Sequence, residues 1–240
     1  MVNHTDKKMK YYVRLNKIER FQHYLLMLSI GILVMTGFML EGEKIVIEFF
    51  GGAAKTIFYW RGILHRIAAI MVMCLGAIHI YYILFVRSGR SWIWDMLPRF
   101  KDAKDAVQNL GYLIGLRGER PKFDRFTYAE KLEYFSIYIG MPIVIVSGIM
   151  LWTQSSWNRF YLDIAEAFHR GEATLAALAI MVWHIITVFF KPGNYPLNTT
   201  FIHGMMSEDD IKHHHPLWYE RLRAEEEAEA GGKKEGDALK

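Results

Sequence analysis

Four stretches of the chain are apolar for about as long as a helix needs to cross a bilayer core, roughly 20 residues: 21–40, 63–86, 132–152 and 172–190. Each is nearly free of charge, and the segments between them are rich in charge. Gly31, Gly37, Gly76, Pro142 and Gly148 fall inside these stretches, where membrane helices tolerate them and small residues allow close approach of a neighbour or a flat cofactor. The pattern predicts an all-α integral membrane protein, a four-helix transmembrane bundle. Residues 1–20 form an N-terminal segment, 21–190 the membrane domain, and 191–223 a tail packing on that domain or on a partner. The stretch 224–240 (AEEEAEAGGKKEGDALK) is charged and poor in apolar residues, which predicts disorder.

The central connector carries a second pattern. Ile93, Met96, Leu97, Phe100, Val107 and Leu110 recur among charges within 92–116, as in a helix lying along a membrane surface, with Trp92 and Trp94 at headgroup level. Basic residues set the orientation, because lysine and arginine are retained on the cytoplasmic side. Residues 1–20 carry six (Lys7, Lys8, Lys10, Arg14, Lys17, Arg20) and 87–131 carry ten, whereas 41–62 and 153–171 carry five together. Both termini and the central connector are therefore expected in the cytoplasm of a prokaryote, with the protein a multi-pass resident of its cytoplasmic (inner) membrane.

Composition narrows the chemistry. The chain is 52% hydrophobic and 15% aromatic, above the usual soluble domain. Its one cysteine, Cys74, excludes a disulfide framework or a thiolate cluster. No small-residue cleavage pattern follows the first apolar run, so the first helix is expected to persist. The net charge of +4 is accounted for by the inner face and calls for no nucleic acid; the bilayer is the expected partner.

Five histidines, His23, His65, His79, His169 and His184, lie in or at the ends of the apolar runs. A titratable side chain in a bilayer is costly and by default functional. His65 and His79 are 14 apart, and His169 and His184 are 15 apart. At about 100° per residue the pairs return to within roughly 40° and 60° of one face, about 21 Å apart along the axis. Two haems, each gripped by histidines from two helices and one near each surface, need that arrangement. Helix direction pairs His65 with His169 at the outer surface. His184 lies inward, with His23 and His79 both available as its partner.

Several segments then resemble the dihaem cytochrome b subunits of membrane-bound formate dehydrogenases, Ni/Fe-hydrogenases and thiosulfate reductases: RFQHYLL at 20–26, RGILHRIAAI at 61–70, FTYAEKLEYF at 126–135, the His169/His184 helix and GMMSEDDIKHHHPLWYE at 204–220. The resemblance implies two b-type haems, the outer on His65 and His169 and the inner on His184 and His23. In that family the fourth-helix pair is spaced 14 rather than 15, and no histidine stands at the position of His79. The 14-and-15 combination also resembles cytochrome b of the photosynthetic bf complex, which would make His79 the inner ligand; His79 with His23 around a third haem, or as a proton carrier, completes the alternatives.

Anionic haem propionates need basic partners, and Arg61, Arg66 and Arg170 flank the outer site while Arg20 flanks the inner one. By the same resemblance Thr127, Tyr128, Glu130 and Lys131 contact a quinone, menaquinone or ubiquinone; as plain structure they are a helix cap with an interfacial aromatic. The expected function is electron transfer between the quinone pool and an iron–sulfur, flavin, molybdenum or multihaem cytochrome c subunit of a larger complex, with substrate catalysis on those other subunits. The rivals are a metal or proton transporter, which calls for carboxylates beside the histidines where the apolar runs show none, and a haem-free membrane anchor. His213–His215 are consecutive and do not converge as metal ligands; His4 and His203 carry no signal.

Overall fold

The computed structural model describes residues 9–190 and 197–238, with side chains to 231, so His4, Lys7 and Lys8 lie outside it. Among the described residues four helices are long and apolar enough to cross a membrane: α1 (Lys17–Glu41), α3 (Ala54–Phe85), α6 (Tyr128–Trp152), and α7 (Arg159–Leu178), which runs through a π-turn (Ala179–His184) into α8 (Ile185–Phe189). Short α2 (Glu43–Phe50) links the first two. The fourth helix begins well before residue 172. Residues 159–171 are charged but good helix formers, and Asn158 caps them by accepting from Tyr161 N at 3.2 Å, so His169 sits inside a helix and not at its start.

The spans pack as two pairs, α1 against α3 and α6 against α7. Between the pairs the contacts concentrate at histidine side chains. Capping boxes begin both helices that rise from the end of the bundle holding the tail. Asn16 and Glu19 exchange bonds at the start of α1, as do Thr127 and Glu130 at the start of α6.

The central connector forms two helices, α4 (Arg87–Met96) and α5 (Phe100–Leu113), broken at Pro98 because proline removes a donor and disfavours helix before it. Trp92 faces protein: it is buried with Met96 and Phe126, since α4 folds back on α3. Trp94 is exposed. Helix α5 is tied to α6 by Lys131 and Asp102 at 2.9 Å, both largely buried, and leaves Phe100, Val107, Leu110 and Leu113 exposed.

The tail closes this end. Strand β1 (Tyr11–Val13) pairs antiparallel with β2 (Met205–Ser207), followed by α10 (Glu208–His214) and α11 (Pro216–Ala238); one turn, α9 (Thr200–His203), precedes β2. Gly204 takes φ +77° between α9 and β2 with the Leu15 carbonyl against it, so any side chain there would be strained and would also clash. Asp95 receives both Arg125 (3.1 Å) and Arg221 (2.8 Å), and His215 Nδ1 donates to the Asp124 carbonyl at 2.6 Å. Trp218 and Ile211 are buried against Met206. The composition of 224–240 predicts disorder, but α11 continues to Ala238, carried by a run of alanine and glutamate with strong helix propensity. Trp218→Ala is expected to cost about 3–5 kcal/mol of tail attachment, measured as faster limited proteolysis within α11 while the spans stay protected.

Candidate functional site

The histidines form two facing pairs. His65 on α3 meets His169 on α7 with ring centroids 6.3 Å apart. His23 on α1 meets His184, which ends the π-turn, also at 6.3 Å. The first pair lies toward the α2 end, the second toward the tail end.

Hydrogen bonds fix which nitrogen of each ring is free. Thr36 Oγ1 has its one proton committed to the Ile32 carbonyl at 2.6 Å, so it accepts at 2.8 Å from Nδ1–H of His65. Nδ1 of His169 reaches the Val144 carbonyl at 3.0 Å, an acceptor only, with Ser147 Oγ at 3.2 Å. Nδ1 of His184 is 2.9 Å from Glu133 Oε2. In each case the proton resides on Nδ1, leaving the electron pair of Nε2 for a metal, the arrangement that second-sphere bonds impose on ligating imidazoles. His23 Nδ1 is buried without a partner.

His79 differs. Its Nδ1 bonds Gln22 Oε1 at 2.5 Å and its Nε2 bonds the Tyr134 hydroxyl at 3.0 Å, with Trp92 and Tyr138 packed around the ring. Both nitrogens are engaged, so no electron pair is free.

The spacing of 15 between His169 and His184 has a local cause. In a continuous α-helix, 15 steps would turn His184 about 100° further than 14 steps. The π-turn Ala179–His184 absorbs one residue, so His184 arrives on the face that a spacing of 14 would give it. Spacing by itself left this inserted turn invisible.

The flanking arginines are already engaged. Arg61 donates to the Thr36 carbonyl at 2.8 Å, Arg66 lies 5.4 Å from the Trp152 ring centroid, and Arg20 donates to the Ile202 carbonyl. Arg170 pairs with Glu41 at 2.8 Å and Glu166 at 3.1 Å, bracing α7 to α1. Arg61 and Arg20 each keep a buried Nε without a partner. The four residues of the third-helix entry are also occupied: Thr127 caps α6, Glu130 binds Arg14 at 2.8 Å, Lys131 binds Asp102, and the Tyr128 hydroxyl accepts from Asn109 at 3.0 Å. One expectation is overturned. A carboxylate does stand beside a helix-borne histidine, Glu133 at His184, because residues 51 apart in sequence meet across two helices.

Residues 14–195 match the family described as prokaryotic cytochrome b561. The chain belongs to that family. Curated proteins similar to this cytochrome b include the cytochrome b556(fdo) subunit of formate dehydrogenase from Escherichia coli K12, 26% identical over 109 residues, 44% of this chain and 50% of that protein. A formate dehydrogenase cytochrome b556 subunit of Haemophilus influenzae is 25% identical over 130 residues, 52% and 53% of the two chains. The nitrate-inducible b556(Fdn) subunit of E. coli K12 is 24% identical over 139 residues, 54% and 62%. The chain spans about half to three-fifths of the length of these relatives.

The family implies haem b, and the residues fit it. Two imidazoles bonded at about 2.0–2.1 Å to opposite sides of one metal place their ring centroids about 6.3 Å apart, the separation of both pairs. Small residues stand on the same faces. Gly76 is about 20° around α3 from His65, and Gly37 about 40° around α1 from His23; a Cβ built at either meets nothing within 4 Å, which leaves room for a porphyrin. Gly148 lies directly against the His169 ring, where a Cβ would come within 3.0 Å.

Proposed function

We propose that the chain is the haem-carrying membrane subunit of a respiratory oxidoreductase, passing electrons between a partner subunit and the quinone pool. The observation that carries this reading is the two facing histidine pairs at iron-spanning separation, each formed across the gap between the helix pairs. His65 and His169 hold one haem b; His23 and His184 hold the other, and His79 holds neither. Bound haem supplies a one-electron centre at each position.

The chain's own groups do the rest. Thr36, Val144 and Glu133 orient three of the four imidazoles, and the apolar spans keep bulk water from the gap. Arg61 and Arg20 have an N–H left to meet propionates; Arg170 serves as a brace. The excess of basic residues at the tail end supports a cytoplasmic position for it, and the exposed apolar residues of α5 suit that membrane face. Menaquinone or ubiquinone exchanges electrons and protons at this end, near His184. There residues 127–131 form a wall held by the Thr127 cap and the ion pairs of Glu130 and Lys131, in which the Tyr128 hydroxyl, accepting from Asn109, keeps its proton to offer a quinone oxygen. The redox subunit, of iron–sulfur, flavin, molybdenum or multihaem type, meets the α2 end, and substrate chemistry resides there. Similarity to formate dehydrogenase subunits favours an assembly of that general kind.

A reduced-minus-oxidised spectrum of the purified protein tests the reading: a b-type α-band is expected, and its absence refutes it. His79→Ala is expected to leave the haem quantified as pyridine haemochrome unchanged; loss of haem in that variant would return His79 to the ligand set.

A further inference from the structure

We propose that Glu133 makes the tail-end site the lower-potential of the two by accepting a hydrogen bond from Nδ1 of His184. The proposal rests on the reading that His23 and His184 hold one haem and His65 and His169 the other. Its basis is an asymmetry among the imidazole partners. His65 bonds a threonine hydroxyl and His169 a backbone carbonyl, with a serine hydroxyl beside it, all uncharged. His184 alone bonds a carboxylate, at 2.9 Å. Among the described residues no lysine or arginine forms an ion pair with Glu133, whereas neighbouring Glu130 is matched by Arg14. The negative charge therefore falls on the ligand and is not cancelled locally.

At the α2 end Arg61 donates to the carbonyl of Thr36, the same residue whose hydroxyl holds His65, and Arg66 follows His65 in the chain. That site is held by neutral bonds. At the tail end Arg20 stands one turn before His23 and likewise donates to a carbonyl, that of Ile202, so the carboxylate on His184 is what distinguishes the two sites. Ferric iron carries one positive charge more than ferrous. A carboxylate that draws on the Nδ1 proton makes the imidazole a stronger donor and stabilises the ferric form, and the low dielectric between the spans preserves the effect. The potential at His184 falls accordingly. With haem bound at both positions, one electron would pass downhill from the site held by His23 and His184 to the site held by His65 and His169, with no proton or bond exchanged between them.

The test is an optical redox titration of the purified holoprotein, comparing the native chain with Glu133→Gln, Glu133→Met and Glu133→Asp. The native protein is expected to show two waves. In the Gln and Met variants, with haem content retained, the lower wave should rise by about a tenfold change in oxidised-to-reduced ratio, about 59 mV for one electron, while Asp keeps it low. Unmoved waves, a shift confined to the upper wave, or loss of a haem in both neutral variants would overturn the proposal. The parent reading fails by a different result, a native protein without b-type haem or a His184→Ala variant with its full complement.

Discussion

His65→Ala is expected to remove about half of the haem bound per chain, and His169→Ala to do the same, because on the proposed reading each would withdraw one of the two imidazoles that hold the same haem. A single imidazole leaves a planar group held from one side in a gap shaped for two. The other pair lies about 21 Å away along the helices and should retain its haem, so a redox titration of either variant should lose one wave and keep the other. Thr36→Val is a graded companion. It deletes the hydroxyl that takes the Nδ1 proton of His65 but leaves the ligand, and second-sphere losses of this kind weaken metal affinity by roughly 10–100-fold. Full haem content in both His65→Ala and His169→Ala would show that the pair is not a ligand pair.

The second large effect concerns helix register. Inserting one alanine after Leu175 should abolish the tail-end haem, since it turns His184 about 100° away from His23 and moves it about 1.5 Å along the axis. Deleting Ile180 should be tolerated. The π-turn holds one residue more than an α-turn would, and its removal converts the helix to a continuous α-helix with His184 on the same face. Haem content and the lower redox wave measure both variants. Loss of haem on deletion would mean that the turn itself, and not only the facing of His184, is required.

The spans and the meeting of His65 with His169 at one end of the bundle were readable because both follow from one-dimensional rules: apolar runs of bilayer length, and helix direction carrying the two residues to the same level. The capping boxes at Asn16–Glu19 and Thr127–Glu130 follow another such rule, an oxygen-bearing residue three positions before glutamate, and the third-helix entry admits that reading from its sequence. The length of the fourth helix was misread, since charge at 159–171 looks like a connector although it continues as helix beyond the apolar core. The burial of Trp92 is not legible in the sequence because an amphipathic stretch does not announce that it folds back.

Sequence by itself determined what is local or periodic: four membrane helices, the depth of each histidine, and a family resemblance carried by short motifs. Tertiary structure decided how those histidines are used. The choice of facing partner for His184 depends on a π-turn that shifts angle without changing composition, and on Gln22 and Tyr134 occupying both nitrogens of His79. The carboxylate on His184 comes from another helix 51 residues away. The physical reason is common to all three: the spacing of residues within a helix sets their faces, but hydrogen-bond partners between helices are set by packing, which sequence distance does not encode.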